Sequence, residues 1–509
     1  MAEYTKVMLD NGDVYEGEVE NGVPHGNGTY IWANGKKYEG EWVNNVQQGF
    51  GVLTLPSGSV YTGSFENNLP HGTGKYEMSD GSVYEGDFVE GVRTGNGTMR
   101  FANGDVYVGG FKENKLCGQG VFTFESGDKY EGEFKNGKRN GAGVYTSTSG
   151  NTYNGEYVDD VRNGYGIEEF TSGDKYEGMF VNGKRDGRGI FTYANGCTYE
   201  GEYKNGAKNG YGVETFKNGD RYEGNYQNGS RNGAGKYVYE NGDTFEGEYV
   251  DDIRNGYGVE TYIGGDKFEG IYKDGKRNGE GKYYYSNGCI YVGNYLNGKR
   301  SGKGRETYAS GGTYDGEYLD GKRHGYGIET YGNGDMYEGN FEEDSKSGFG
   351  KYTYKNGCYY EGEYKGGRRN GHGKEQYASG DSFEGEYKDG LRNGFGTYYY
   401  KDGTTFVGEY KNDKRNGFGK ESFTDGSYYE GEYVNGKREG AGKYVYGTGG
   451  SYEGGYLADK RDGYGKETMA NGDVYEGEFK EGKRHGFGIY TFKSGDKIEG
   501  MWENGKCVE

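Results

Sequence analysis

The stretch YEGEFKEGKRHGFGIYTFKSGDK, residues 475–497, recurs along the chain at a strict spacing of 23 residues. With Tyr475 counted as position 0, the same phase begins at residue 15 and returns every 23 residues to residue 498, without insertion or deletion. Gly stands at position 2 of all 22 starts and at positions 11, 13 and 20 of all 21 repeats that reach them. A period of roughly 20 to 50 residues is typical of a repeat array. The fold is therefore that of one repeated unit.

Composition alone would predict disorder, because 108 of the 509 residues are Gly and only 31% are hydrophobic. The placement of these residues predicts the opposite. Almost every Gly occupies position 2, 7, 11, 13 or 20, and most aromatic residues occupy position 0, 4, 12, 15 or 17. A disordered linker has no reason to keep such positions, so we predict a folded array. The net charge of −20 argues against binding to nucleic acid.

The repeats predict a single array over residues 1–509. Residues 1–14 read as a partial leading repeat, 15–497 as twenty-one full repeats and 498–509 as a partial terminal repeat. The first five repeats, 15–129, contain all three Pro of the chain and lack the regular Lys or Arg that later repeats carry at position 9. We therefore predict a distinct N-terminal subregion that docks a partner. No signal peptide or transmembrane segment is recognisable, and we expect a soluble, cytoplasmic protein.

Each repeat reads as a β-hairpin. Positions 0–5 alternate apolar and polar residues, as in 130–135, and predict a half-buried strand. Position 7 is always Gly, Asn or Asp, the residues that best tolerate φ > 0, and predicts a tight turn. Positions 11–17 predict the second strand, and Gly at position 20 turns the chain back. The predicted fold is all-β: an elongated, solenoid-like array of antiparallel hairpins that forms one long twisted sheet.

The alternation assigns side chains to two faces of this sheet. One face carries the rings of positions 0, 4, 15 and 17 beside Gly, and we call it the aromatic face. The missing Gly side chains are expected to make room for rings of the neighbouring strand. The opposite face carries Glu at positions 1 and 3, mixed residues at position 14 and Thr at position 16. We expect this opposite face to be hydrated.

The pattern YEGEF-NGK-RNGFG-Y-F-NGD resembles the MORN repeat (membrane occupation and recognition nexus), and the resemblance covers almost the whole chain. It implies an elongated scaffold, often dimeric, of the kind found in cilia and flagella, protist cortical cytoskeletons and junctophilins. Some relatives attach such arrays to enzymes, namely plant phosphatidylinositol-phosphate kinases and a SET-domain methyltransferase. Nothing in this chain matches either catalytic domain.

No motif predicts catalysis, a cofactor or a metal. The recurring GxG elements are followed by strand rather than by a helix and lack GK[ST], so a phosphate loop is not indicated. His25 and His71, the nearest of the His at position 10, lie two repeats or about 19 Å apart, too far to share a metal ion. Carboxylate pairs recur in nearly every repeat, which an active site would not do. We predict a protein that is not an enzyme.

Two surfaces are candidates for partner binding. A stripe of rings on the aromatic face can accept a helix or an extended peptide, or the rings can pack only on each other. Position 9 is Lys or Arg in sixteen consecutive repeats, from Arg139 to Arg484, and forms either a basic ridge or a row of ion pairs with Glu of neighbouring hairpins. The predicted partner-binding residues are Tyr176, Phe180, Tyr199, Tyr203, Tyr222, Tyr226, Phe245, Tyr249, Arg254, Arg277 and Arg300.

These features support three hypotheses about function. The first is a non-enzymatic scaffold or spacer in a cytoskeletal assembly, at a cilium, flagellar axoneme or cell cortex, which holds cytoskeletal or ciliary proteins on its aromatic face. The alternative is a phosphoinositide-binding peripheral membrane module that tethers membrane to cytoskeleton through the basic ridge. The third concerns the end strands, residues 1–9 and 498–506, whose unpaired edges predict a homodimer through a terminal repeat.

A second period of 46 residues lies within the first. From Tyr145 onward, position 15 alternates between an aromatic residue and Glu, as in Glu168 and Tyr237, with one slip at Glu306 and Glu329. Duplication of a two-repeat block would produce this pattern. Alternatively, a twisted sheet buries position 15 only in every second repeat, in which case Glu168→Tyr is tolerated and Tyr237→Glu costs about 2 kcal/mol. The slip then predicts a change of twist or a partner boundary.

Overall fold

The computed structural model describes residues 3–508, which contain strands and turns but no helix. The chain divides into two compact units, Met1–Ile253 (unit 1) and Arg254–Glu509 (unit 2). In each unit, consecutive strands pair antiparallel, within a repeat and between one repeat and the next. The predicted all-β array of hairpins is confirmed in both units.

Strands β1 to β22 build unit 1. In order, they are Glu3–Met8, Val14–Glu20, Val23–Ile31, Lys37–Val43, Val46–Thr54, Val60–Glu66, Leu69–Glu77, Val83–Val89, Val92–Arg100, Val106–Lys112, Lys115–Thr123, Lys129–Lys135, Lys138–Thr146, Thr152–Val158, Val161–Glu169, Lys175–Val181, Lys184–Thr192, Thr198–Lys204, Ala207–Thr215, Arg221–Gln227, Ser230–Val238 and Thr244–Val250.

Strands β23 to β45 follow. In order, they are Ile253–Thr261, Lys267–Lys273, Lys276–Tyr284, Ile290–Leu296, Lys299–Thr307, Thr313–Leu319, Lys322–Thr330, Met336–Glu342, Ser345–Thr353, Tyr359–Lys365, Arg368–Gln376, Ser382–Lys388, Leu391–Tyr399, Thr405–Lys411, Lys414–Ser422, Tyr428–Val434, Lys437–Val445, Gly450–Leu457, Lys460–Met469, Val474–Lys480, Lys483–Thr491, Lys497–Glu503 and Lys506–Cys507.

A two-residue turn closes each hairpin at positions 6 and 7. Between β12 and β13 these residues are Asn136 and Gly137, with φ of 52° and 85°. Two consecutive residues with positive φ are typical of a type I′ turn, whose twist matches that of the strands it joins. The turn predicted at position 7 is confirmed, and the second strand begins at position 8 rather than at position 11 as predicted.

A β-bulge then changes the register of the hairpin. Phe134 pairs with Arg139, but the next pair on the same face joins Gly132 to Gly143, so the second strand carries two extra residues between these pairs. Gly141 lies in this bulge and has a φ of 78°, a conformation that favours Gly. As a result, position 0 pairs with position 15 and position 9 pairs with position 4.

Two Gly of each hairpin form the floor on which the ring of position 0 lies. A Cβ atom on Gly132 would come within 2.5 Å of the Cα atom of Gly143, and one on Gly143 would collide with the ring of Tyr130. The Tyr130 hydroxyl donates a hydrogen bond of 3.1 Å to the Glu133 carbonyl beyond the ring. The prediction that Gly makes room for a ring of the neighbouring strand is confirmed.

The rings of positions 0 and 4 make a continuous core on the aromatic face of each unit. Tyr176 contacts Phe180 of its own repeat and Tyr203 of the next repeat, at centroid distances of 5.3 and 5.2 Å and close to perpendicular. Edge-to-face pairs of this kind contribute about 0.5–1.5 kcal/mol beyond their buried area. The core is therefore a single layer of rings that extends from repeat to repeat.

Position 17 lies beyond the second strand, which ends at position 16 and not at position 17 as predicted. Its ring nevertheless stays on the aromatic face. Phe124 contacts Phe122 of its own repeat at 4.7 Å and Tyr145 of the next repeat at 6.2 Å. The rings of positions 15 and 17 therefore form a second, half-buried row beside the core.

Candidate binding surfaces

The eight aromatic residues predicted to bind a partner lie in the core. Each is at most 6% exposed. Neighbouring rings within unit 1 cover them, as described for Tyr176. These rings hold the sheet together, and their binding of a partner stays a prediction. The eight are Tyr176, Phe180, Tyr199, Tyr203, Tyr222, Tyr226, Phe245 and Tyr249.

The three Arg predicted to form a basic ridge also lie on the aromatic face. Arg254 and Arg277 each lie 2.7 Å from a carboxylate oxygen of Glu260, and Arg300 lies 3.1 Å from Glu306. Their side chains are only 17–24% exposed. The ion pairs predicted with neighbouring hairpins are thus present only in part: Arg277 binds a Glu of the preceding repeat, whereas Arg254 and Arg300 bind the Glu of their own repeat. All of these pairs are half-buried rather than surface pairs. Phosphoinositide binding by these Arg stays a prediction.

The Arg of position 9 also stack on the core. The guanidinium carbon of Arg185 lies 4.7 Å from the ring centre of Tyr176 and 4.9 Å from that of Phe191. Arg415 lies 4.2 Å from the ring centre of Phe406. Guanidinium groups favour such positions over the faces of rings, and each contact contributes about 0.5–2 kcal/mol. Position 9 therefore covers the ring core as well as carrying charge.

The arrangement shifts the pKa of Glu260. Burial raises it, but hydrogen bonds from Arg277 and Tyr262 and the positive charge of Arg277 outweigh burial and lower the pKa to about 2. A carboxylate that is more acidic in the folded chain than in the unfolded chain stabilises the fold above its unfolded pKa, and this stabilisation is lost as the pH falls towards its folded pKa.

We therefore expect the stability of this part of unit 2 to decrease as the pH falls from about 4.5 to 2. Hydrogen exchange over residues 254–284 measures this decrease in stability, once the rates are corrected for the intrinsic pH dependence of exchange. The variant Glu260→Gln should show a smaller decrease, whereas Glu280→Gln, at an exposed position, should behave as the wild type. An equal decrease in stability in the wild type and in Glu260→Gln would show that Glu260 is not the group responsible for the loss of stability in acid.

The two kinds of repeat that alternate at position 15 differ in which residue supplies a carboxylate near that position. In one kind of repeat Glu occupies position 15 and binds Arg, as Glu168 binds Arg162 at 2.5 Å and Arg185 at 2.7 Å. In the other kind a Tyr occupies position 15 and donates to Asp at position 21 of the preceding repeat, as Tyr145 donates to Asp128 at 2.6 Å. Most repeats of either kind thus place one carboxylate beside the rings; exceptions are the repeat with Tyr444, where Ser427 replaces the Asp, and the repeat with Glu260, where Asp243 is also present.

The explanation of the alternation by burial is wrong. Glu168 is only 12% exposed, and Tyr145 is half-buried, so position 15 is covered in both kinds of repeat. The Glu is tolerated because it is paired with two guanidinium groups. At the slip, Glu306 and Glu329 each bind the Arg of their own repeat, Arg300 and Arg323. The predicted change of twist or partner boundary there stays a prediction.

The first five repeats present a different aromatic face. Position 9 is Pro24, Gln47, Pro70, Arg93 and Leu116 in turn, and position 15 carries Tyr, Leu, Tyr, Met and Phe. No ion pair between positions 9 and 15 is found in residues 15–129, all of which the structure describes. A recess of about 230 Å³ opens there between the rings of Tyr30, Trp32 and Trp42, next to Gln47. We call this stretch the N-terminal apolar face.

The opposite face is not uniformly polar. Position 12 projects from this face, and its rings are exposed in many repeats, as in Phe50, Tyr165 and Phe487. The only signal in the sequence was the enrichment of aromatic residues at position 12. The expectation that this face is hydrated holds for its Glu rows but not for position 12.

The end strand β1 leaves Tyr4 and Met8 strongly exposed. Residues 1 and 2 and residue 509 lie outside the described part of the chain. The homodimer predicted through a terminal repeat stays a prediction.

Among residues 3–508, no group of three or more His, Cys, Asp or Glu side chains is placed to hold a metal ion. All five Cys lie within the described residues, and none of them forms a disulfide. The described residues also include no helix of the length and apolarity that a membrane crossing requires.

A family model described as MORN repeat matches the chain twenty-one times in succession, from residues 15–37 to residues 475–497. No match among curated proteins reaches significance.

Several solved structures share a local likeness. The TCP domain of SAS-4 (dCPAP) from Drosophila melanogaster, solved with a proline-rich motif of Ana2 (dSTIL), is 16% identical over 29% of this chain and 81% of that chain, with a TM-score of 0.20. The TCP10 domain of Danio rerio CPAP is 11% identical over 48% of this chain and 93% of that chain, with a TM-score of 0.17. At these scores the likeness supports no conclusion about this chain.

Proposed function

Because this chain belongs to the MORN-repeat family, we propose that it is a non-enzymatic scaffold of a cytoskeletal assembly, at a cilium or the cell cortex, which holds protein partners on its aromatic face. The hairpin, the ring core and the turns recur from residue 15 to residue 497, and such a uniform array offers many equivalent positions along one surface.

The observation that carries this proposal is the N-terminal apolar face. In most later repeats, the Lys or Arg of position 9 covers the rings and pairs with a Glu at position 15 or with an Asp at the next hairpin turn. In residues 15–129 the same positions are mostly uncharged, and a recess opens beside Trp32 and Trp42. The recess is also lined by the amides of Asn45, Gln47 and Asn68 and by Lys36, whose ammonium lies 4.5 Å from the ring centre of Trp32. A partner that docks there therefore desolvates one cation rather than a row of ion pairs, and it can place an apolar side chain against the rings. We therefore place the main docking site in these five repeats.

Introducing an ion pair into the N-terminal apolar face tests the proposal. The double variant Gln47→Arg/Leu53→Glu introduces into the second repeat the ion pair that later repeats carry at positions 9 and 15. Affinity purification of the full chain from ciliated cells should recover cytoskeletal proteins, and the double variant should recover them at least fivefold less. Lys388→Glu, at the exposed end of strand β34 in unit 2, is the control and should leave recovery unchanged.

Two outcomes would refute the proposal. Recovery of only soluble metabolic enzymes by the wild type would exclude the cytoskeletal role. Equal recovery of cytoskeletal proteins by the wild type and the double variant would exclude the N-terminal apolar face as the docking site.

A further inference from the structure

Five consecutive repeats of unit 2 carry a ring at position 12 on the opposite face. Four of these rings are aromatic side chains that are 50–58% exposed, and the fifth is an exposed imidazole. Elsewhere in the described chain, exposed rings at this position occur singly or in pairs. We call this row the position-12 ladder; it consists of Tyr326, Phe349, His372, Phe395 and Phe418.

A row of carboxylates accompanies the ladder. Each ring pairs across the strands with position 3 of the next repeat, which is Asn340 for Tyr326 and Glu for the other four rings. For example, Phe349 pairs with Glu363, Phe395 with Glu409 and Phe418 with Glu432. The Lys of position 14 on this face do not neutralise these Glu. They turn instead to the Glu of position 1, so that Lys351 binds Glu361 at 3.1 Å.

The carboxylates beside the position-12 ladder can therefore pair with cations of a partner. Glu386, Glu409 and Glu432 are exposed and take part in no ion pair among the described residues. The face thus offers apolar rings and unpaired negative charge side by side, which complements a partner that alternates apolar and cationic groups.

The spacing of the ladder restricts the conformation of that partner. Successive rings are two strands apart, about 9.6 Å, so the five rings span about 38 Å. A polyproline II helix advances about 9.3 Å for every three residues and covers about 37 Å in the same four steps. An α-helix needs seven residues and about 10.5 Å per step, so it falls out of register by about 4 Å over the ladder. An extended strand presents one side every second residue, at about 6.7 Å.

We propose that the position-12 ladder binds a proline-rich segment of another protein, in the polyproline II conformation and with Arg or Lys at regular intervals. Proline rings pack on exposed aromatic rings, as they do in other proteins that recognise such segments, and the basic residues pair with the Glu row. The chain itself contains three Pro, none of them consecutive, so a second copy cannot supply this segment. A second copy would also bring its own Glu row against this one.

Fluorescence anisotropy with the full chain tests this proposal. The probe is a fluorescein-labelled (Pro-Pro-Arg)5 peptide. The triple variant Phe349→Thr/Phe395→Thr/Phe418→Thr removes three rings and keeps the fold, because these side chains are exposed and Thr73 occupies the same position in the third repeat. We expect the triple variant to bind the peptide at least tenfold more weakly than the wild type. Phe50→Thr, at an isolated ring, should bind as the wild type does.

Peptide controls separate conformation from charge. A (Gly-Ser-Arg)5 peptide has the same charge without the polyproline II conformation, and (Pro-Pro-Glu)5 has the conformation with the opposite charge. Both should bind at least tenfold more weakly than (Pro-Pro-Arg)5. Equal binding of (Gly-Ser-Arg)5, or equal binding of (Pro-Pro-Arg)5 by the triple variant, would overturn the proposal.

Two further results would assign the ladder to a different occupant and would also overturn the proposal. One is tighter binding of a helical Leu/Arg peptide that depends on the same three Phe. The other is a dimer in sedimentation equilibrium that the triple variant dissociates.

Discussion

Replacing Gly270 by Ala destabilises its hairpin by about 3 kcal/mol, near the upper end of what overpacking usually costs. A Cβ atom on Gly270 would lie 2.6 Å from the ring of Phe268 and 2.7 Å from the Cα atom of Gly281. Neither group can retreat, because the ring is held between repeats and the Cα atom belongs to a paired strand. The strands must therefore separate locally, and the ring core is lost at that repeat.

Gly264 provides a matched control six residues away. A Cβ atom there would meet nothing within 4 Å, and the backbone has no positive φ. We expect Gly264→Ala to change stability by no more than about 0.5 kcal/mol. Hydrogen exchange over residues 268–284 distinguishes the two variants better than a single melting temperature, because contacts in a repeat array are mainly between neighbours. Equal protection in both variants would show that the ring and the Gly floor do not determine the packing.

Replacing Glu168 by Tyr should cost about 3 kcal/mol of local stability, at the lower end for loss of one partner of a buried ion pair. The change removes the carboxylate that binds both Arg162 and Arg185. The cost stays near the lower end because both guanidinium groups keep some contact with water and with rings. The interpretation of the alternation by burial predicts instead that this substitution is tolerated.

Adding Asn151→Asp to Glu168→Tyr should recover most of this loss. Asn151 already accepts a hydrogen bond from the amide of Thr171, the contact that Asp128 makes in the preceding repeat. An Asp at position 151 would place a carboxylate where the new Tyr hydroxyl can donate to it, and would thus reproduce the arrangement of the other kind of repeat.

Hydrogen exchange over residues 152–192 measures both variants, with Asn151→Asp alone as the control. That single variant places a carboxylate near Glu168 and should lose a little stability. If the double variant is as unstable as Glu168→Tyr, the exchange of carboxylates does not explain the 46-residue period. Duplication of a two-repeat block is then the remaining explanation.

The sequence by itself determined that each repeat is a hairpin, where its turn lies and on which face the rings of positions 0 and 4 lie. Residues such as Asn136 and Gly137 allow a tight turn, and strict alternation over 130–135 places the rings on one side. These inferences hold because they depend on local conformation: φ > 0 selects Gly and Asn, and a strand has a period of two. Because the unit repeats, the same local inference applies to every hairpin of the chain.

Only the tertiary structure decided which side chains meet across the strands. The bulge at Gly141 shifts the register of the hairpin by two residues, which brings Tyr130 opposite Tyr145. A register shift of two residues leaves every side chain on its original face. The alternation of apolar and polar residues in the sequence therefore cannot reveal this shift. The burial of Arg277, its shared carboxylate on Glu260 and the carboxylate exchange at position 15 all depend on that register. They became visible only once the strands were paired.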